Sequence, residues 1–386
     1  MIYKVSDNII SSFGFTSLDN YNAVKQGNTN LQLYENKFGI TEPFVASLLN
    51  REEINDRFAS INSNSEIKYT ILEKTAILSV YEALKNSDID VISDQTLFIL
   101  STTKGNVDLL EYNDLYEKER VHLWRTAQLI AQFFQNNNEP VVVSNACISG
   151  VAAQIAAERA LKSGRFKHAI VVGIDLLSKF IISGFQSFKA LSQEKCKPFD
   201  INRTGLNLGE AAATIIYSSE EKADKIPENA LIFKGVAICN DANHISGPSR
   251  TGEGLYNAIS QILSLIDEND IAFINAHGTA TPYNDDMESV AIGRANFNNI
   301  PVNSLKGYFG HTLGAAGLLE TIISMYAIND NLVLKSMGFE ELGVSNQINV
   351  SKNNSKTLKN SFIKLVSGFG GVNAAIAIQK SVIHKS

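Results

Sequence analysis

Apolar residues arrive along this chain in two alternating spacings. Residues 73–85 and 123–136 place them at helical period, whereas residues 95–100, 141–143 and 169–174 are unbroken apolar runs of strand length. A further helix follows Cys147 and runs to about residue 163. The second half repeats the theme: strands over 231–239 and 271–274, helices over 254–266, 285–295 and 314–328. Continuous apolar strands are buried on both faces, so the pattern predicts an α/β protein whose sheet is covered by helices on each side. In each half a short apolar strand ends at a chemically capable side chain, Cys147 in the first and His277 in the second. This suggests two related α/β halves with a site between them, although the halves share no legible sequence repeat. The charged stretch 218–227 is the expected seam, dividing the chain into residues 1–225 and 226–386, and residues 352–360 read as an exposed loop.

Composition narrows the classes. The 386 residues are 44% hydrophobic with a net charge of −6 and no basic block, which argues against a nucleic-acid partner. No stretch approaches the ~20 apolar residues of a membrane span, and Met1 to Asp7 lacks the features of a signal peptide, so a cytoplasmic protein is expected. Cys147, Cys196 and Cys239 are too far apart for a disulfide framework or a zinc knuckle; reduced thiols and no metal site are expected.

Four segments carry candidate chemistry. Val141 to Gln154 reads as a buried strand, a break at Ser144-Asn145 and a small-residue helix, which puts Cys147 at a helix N-terminus. Unpaired N–H groups and the helix dipole there stabilise a thiolate and can receive an oxyanion. A small buried core cysteine is an equally good account of that residue alone. Ile274 to Pro282 places His277 at a strand end, followed by Gly278 and the hydroxyls of Thr279 and Thr281, where an α/β sheet presents ligands. Asn303 to Gly317 contains Lys306, His311 and a run of small residues suited to close helix packing, with Glu320 as a possible ion-pair partner for Lys306. Val366 to Asn373 is a glycine turn around Phe369 that brings backbone N–H groups close to something.

In this order the four segments resemble the β-ketoacyl synthase family of condensing enzymes, in its elongating Cys-His-His form. Supporting stretches are Ser187 to Ser192, Lys197 to Gly205, Leu208 to Ala212 and Asn240 to Pro248. The resemblance covers residues from about 70 to the C-terminus and more loosely from residue 1. It implies a thiolase-like fold of two related α/β halves in five αβαβα layers, and an obligate dimer. It also implies a 3-oxoacyl-[acyl carrier protein] synthase that joins a cysteine-bound acyl group to malonyl-[acyl carrier protein] by decarboxylative Claisen condensation. Acyl carrier protein is then the partner and its phosphopantetheine arm the substrate carrier, with no permanently bound cofactor. The dimer is a homodimer or a heterodimer with a ketosynthase-like subunit.

By the same resemblance Cys147 is the nucleophile, and His277 and His311 bond the malonyl thioester oxygen and promote decarboxylation. The N–H groups of Cys147 and Phe369 form the oxyanion hole, and the Phe369 ring gates the thiol. Lys306 organises His311 with Glu320 as its carboxylate partner, and Thr279 and Thr281 hold the phosphopantetheine arm. Asp285 and Glu288 occupy the family's acidic positions, though surface carboxylates on a helix face account for them equally well. His244 is expected to be structural.

Rival classes are weaker. A thiolase would carry a second catalytic cysteine near the C-terminus, and none follows Cys239; an initiating synthase would have Asn where His311 stands. A non-catalytic chain-length-factor subunit keeps the fold but typically lacks the cysteine. Two features depart from the family: residues 107–138 are compressed, and Ile148 replaces a smaller residue beside the nucleophile, which suggests altered packing at the acyl tunnel and a specialised acyl group. Arg203 and Lys68 are the clearest basic candidates for meeting an acidic carrier protein.

Overall fold

The computed structural model describes residues 1–62, 66–111, 115–220, 226–245 and 247–381. Within the expected seam, residues 221–225 lie outside the described residues, as does Ser246 of the Asn240 to Pro248 segment. The strands that position the site are β1 (Ile2–Ile10), β2 (Thr96–Ser101), β3 (Val141–Val143), β4 (His168–Asp175) and β5 (Ala211–Ser219) in the first half. The second half supplies β6 (Leu231–Asn240), β7 (Ile271–Asn275), β8 (Pro301–Asn303), β9 (Ser361–Gly368) and β10 (Val372–Lys380). They form one 11-stranded sheet in the order Asn349–Val350, β8, β7, β9, β10, β6, β1, β5, β4, β2, β3.

The duplication that the sequence hides is plain in this order. Outward from the β1–β6 junction, each half runs first, fifth, fourth, second and third strand of its own set. The directions repeat as well: β1–β5 and β5–β4 are antiparallel and β4–β2 and β2–β3 parallel, matched by β6–β10, β10–β9, β9–β7 and β7–β8. Among the described residues the two halves join edge to edge through an antiparallel pairing of Tyr3 with Ile232.

Helices fill the layers. Helix α1 (Ile71–Leu84), opened by a Thr70–Glu73 capping box, and α2 (Leu123–Phe133) cover the outside of the first half. Helix α3 (Ser149–Lys162) lies between the halves; α4 (Glu253–Leu263) and α5 (Pro282–Arg294) cover the outside of the second; α6 (Ala316–Asn329) joins α3 in the central layer. Five layers result, as the thiolase-like expectation requires. Among the described residues no helix is long and apolar enough to cross a membrane.

Where α3 meets α6 the backbones touch. A Cβ on Gly317 would sit 2.5 Å from the Val151 nitrogen, and one on Gly150 would sit 2.9 Å from the Gly314 carbonyl oxygen. The small residues after His311 therefore serve helix contact, as their run suggested. Two local details differ from the sequence reading. The helix expected from residue 314 opens with a 3-10 turn, Leu313–Ala315, because Leu313 takes φ 52 and its N–H turns to His311 Nδ1. The expected 352–360 loop contains a short strand, Ser355–Lys356, paired with Leu332–Val333.

Adding a methyl at the crossing tests this packing. Gly317→Ala is expected to lower the unfolding free energy in urea by about 1–3 kcal/mol through overpacking. Gly184→Ala, on a helix with open space at its Cβ position, is expected to leave stability unchanged or raise it by up to ~1 kcal/mol.

Candidate active site

The cysteine turn is built by local hydrogen bonds. Ser149 Oγ accepts from the Asn145 N–H (2.8 Å) and donates to the Ala146 carbonyl (2.6 Å), which folds the chain back between β3 and α3. Ala146 is forced to φ 46 to do so, a left-handed conformation that L-residues with a side chain seldom adopt. The next residue, Cys147, is buried at 8% exposure and points into a cavity of about 530 Å³ that His277, His311, Thr279, Thr281 and Phe369 also line.

One donor atom from each of Cys147, His277 and His311 lies within 4.8 Å of the other two. The imidazoles meet edge to face, 5.1 Å between centroids at 83°. His311 Nδ1 accepts the Leu313 N–H at 3.1 Å, so its proton resides on Nε2, a buried donor with no protein partner. His277 likewise has an unpartnered buried nitrogen, Nδ1. Burial, reinforced by the Lys306 charge, holds both imidazoles well below the usual histidine range, and both are neutral at pH 7.

The thiol departs from the simple helix-terminus expectation. Burial pushes Cys147 up to about 11, against the opposing pull of Lys306 and a hydrogen bond from the Phe369 N–H. Desolvation outweighs the helix end, and the resting group is a thiol, not a thiolate. The Phe369 N–H is supplied by the β9–β10 turn. Gly368 packs against the Cys147 nitrogen, and the turn is held by Ser367 Oγ donating to Asn373 Oδ1 (2.7 Å) and by Gly370 N–H bonding the Ile245 carbonyl (2.7 Å). The Phe369 ring stacks toward Phe188 and Phe185, at 5.3 and 6.0 Å.

Charged groups beneath the imidazoles are more extensive than the sequence suggested. Lys306 Nζ donates to Glu320 at 2.6 Å, the pairing expected, while a second buried lysine, Lys364, holds the other Glu320 oxygen at 2.5 Å. Both lysines are fully buried. Lys306 reaches His311 through the backbone, where its carbonyl accepts the Gly310 N–H at 2.8 Å. Asp285 and Glu288 are fully buried, so the surface-carboxylate account of them is overturned. Glu288 receives the N–H groups of His277 (2.7 Å) and Gly278 (2.6 Å); Asp285 receives those of Thr279 (2.9 Å) and Phe199 (2.7 Å). Burial raises Asp285 to about 6 and, helped by the neighbouring Asp285 charge, Glu288 to about 7.

Sequence reasoning passed over three of these supports. Lys364 was detectable as a lone charge inside an apolar run. Asp175, which accepts N–H groups from Thr103 (2.8 Å) and Gly314 (2.7 Å) and ties β2, β4 and the start of α6, had no such local signal. Asn207, whose carbonyl accepts the His311 N–H at 2.7 Å, had none either. Ile148 is fully buried in the central core and packs against Gly368, which lines the cavity next to Phe369. Arg203 donates to the carbonyls of Asp200 (3.0 Å) in its own loop and of Gly343 and Pro282 (3.4 Å) in two distant segments, whereas Lys68 is exposed. His244 accepts the Gly247 N–H and lines the cavity rim.

Fold and site together define a thiolase-like protein with a buried thiol facing two neutral imidazoles. The sequence matches the beta-ketoacyl synthase N-terminal domain over residues 32–223 and the beta-ketoacyl synthase C-terminal domain over residues 231–340, and the chain belongs to that family. It is 31% identical to the 3-oxoacyl-[acyl-carrier-protein] synthase 2 of Rhizobium meliloti, in an alignment spanning 63% of this chain and 61% of that protein, under two thirds of either. Among solved structures, a beta-ketoacyl synthase from Burkholderia phymatum superposes with TM-score 0.86 at 21% identity, covering 99% of both chains. The ishigamide ketosynthase/chain length factor does so with TM-score 0.87 at 21% identity, again over 99% of both.

Resting reactivity reads the buried thiol directly. Alkylation of Cys147 by iodoacetamide, followed by peptide mass, is expected to keep accelerating from pH 7 to beyond pH 9, because only the small thiolate fraction reacts. A plateau near pH 7 would mean an activated thiolate at rest.

Proposed function

We propose that the protein is a 3-oxoacyl-[acyl carrier protein] synthase catalysing decarboxylative condensation. The observation that carries this reading is the convergence of the Cys147 sulfur, the Phe369 N–H and the two neutral imidazoles on one cavity. The sulfur attacks the thioester carbonyl of an acyl group delivered on phosphopantetheine. Its proton passes through the neutral His277 to the departing pantetheine sulfur, and the acyl oxygen rests between the Cys147 and Phe369 N–H groups. A malonyl thioester then enters along the Thr279 and Thr281 hydroxyls, and its carbonyl oxygen accepts hydrogen bonds from the neutral imidazoles, His311 donating through Nε2. Carbon dioxide leaves, the enolate carbon attacks the acyl-cysteine carbonyl, and the Cys147 sulfur departs as a thiolate that takes up one proton from solvent water. The 3-oxoacyl chain stays on the carrier.

Further parts of the reading rest on the same family membership. Residues 1–225 bring the thiol and residues 226–386 the histidines, Lys306 and the Phe369 turn. The partner is acyl carrier protein, the setting cytoplasmic, and the assembly a dimer with itself or with a chain-length-factor-like subunit, the pairing for which the ishigamide ketosynthase/chain length factor is named. The alternative, that this chain is itself the non-catalytic subunit, is disfavoured by Cys147 and by two cavity-lining imidazoles that each keep a nitrogen without a hydrogen-bond partner.

Labelled acyl carrier protein is expected to leave a covalent acyl group on the wild-type protein and none on folded Cys147→Ala. Absence of the adduct on the wild type would overturn the catalytic reading. His311→Ala is expected to lower malonyl decarboxylation by about 10²–10³-fold, the usual cost of one lost oxyanion donor. Because both imidazoles stay neutral as pH falls through 6.5, the pH profile of decarboxylation is expected to show no histidine-type loss centred near 6.5, and the loss that comes from charging the imidazoles is expected only under more acidic conditions.

A further inference from the structure

Lys364 is a lysine in the centre of a core strand. Its β9 neighbours Phe362, Ile363, Leu365 and Val366 are all buried, and its own side chain is fully enclosed. Burying an ammonium group is costly unless charge and hydrogen bonds replace its water, and Lys364 has both. Its Nζ lies 2.5 Å from Glu320 Oε2 and donates to the carbonyls of Ala276 (3.3 Å) and Asn275 (3.5 Å), the two residues that immediately precede His277. Strand register explains the reach, since Lys364 pairs with Asn275 across the parallel β9–β7 ladder.

Glu320 thus joins two lysines that serve different segments. Lys306 anchors the short helix Lys306–Phe309 that leads into His311, and Lys364 anchors the strand end that leads into His277. We propose that Lys364 is a positioning residue for the condensation, closing a Lys306–Glu320–Lys364 bridge that sets the two imidazoles against each other and against the Cys147 thiol. The proposal rests on the ketosynthase reading for its chemistry but not for its geometry.

Charge adds a second role for the same bridge. The titratable groups facing Lys364 are Glu320 from α6, Glu288 from α5, Lys306 and the two imidazoles; one glutamate between two lysines leaves the bridge positive when both are protonated. That charge opposes protonation of His277 and His311 and preserves them as neutral donors. Burial and the Lys306 charge bring Lys364 itself down to about 8, against the pull of Glu320, so the bridge weakens as pH rises through that value.

The test compares Lys364→Met with Lys364→Gln, the latter keeping a donor for the Ala276 carbonyl while removing the charge. Histidine ring titrations are followed by NMR on protein labelled at the imidazole carbons, with His277→Asn and His311→Asn for assignment. In both Lys364 variants the two imidazoles are expected to titrate at least half a pH unit higher than in wild type. Malonyl decarboxylation is expected to fall roughly tenfold or more in Lys364→Met and less in Lys364→Gln, while alkylation of Cys147 by iodoacetamide changes less than about threefold. Unshifted histidines with an unchanged ratio of decarboxylation to alkylation in a folded variant would overturn the proposal, as would equal losses in both rates that track a lowered melting temperature. If Lys364→Met does not fold, the Gln variant alone decides by the same readings. A wild type that neither decarboxylates nor accepts an acyl group would sink the ketosynthase reading and leave the histidine titration to judge the bridge.

Discussion

The site depends on two helices being allowed to touch. Helices α3 and α6 start at equivalent places in the two halves, each just beyond the third strand of its set, and cross at Gly150 and Gly317 with no side chain between their backbones. Cys147 stands at the start of one and His311 at the approach to the other. Any larger residue at the crossing would separate the helices and, with them, the thiol from the imidazole. Asp175 reinforces the same contact, since it accepts N–H groups from both the end of β2 and the Gly314 turn.

Around that contact the reactive groups are buried, and burial governs their chemistry. Burial alone would leave the thiol protonated and the imidazoles uncharged, and the lysine charges strengthen the second effect while opposing the first. The site therefore holds neutral groups at rest, and in the condensation proposed above charge develops only during reaction, as an oxyanion facing the Phe369 N–H and an enolate facing two imidazoles. Carboxylates are kept from the reacting atoms. Glu288 and Asp285 spend their oxygens on the N–H groups of the His277 and Thr279 loop, and Glu320 spends its own on two lysines.

Much of this was legible along the chain. Strands 141–143 and 169–174 were visible as apolar runs because strands buried on both faces need no polar alternation. Cys147, His277, His311, Lys306 and Phe369 stood out because each follows a strand or turn signal within its own short segment. Lys306 with Glu320 could be guessed from chemistry. What escaped notice was every support whose partner lies far away in sequence, such as Lys364 beneath Ala276 or Asn207 behind His311. Helix periodicity likewise could not place Asp285 and Glu288, because α5 buries its acidic face against loops that arrive from elsewhere.

Local sequence determined the elements, the turn that carries the cysteine and the small residues that permit close helix contact, since each follows from steric and hydrogen-bonding preferences over a few residues. Only the tertiary structure decided that the two halves repeat one strand order, that Ile148 turns into the core and that the thiol rests protonated. The reason is physical: strand order, burial and the field of buried charges are sums over distant parts of the chain, and no local pattern contains them.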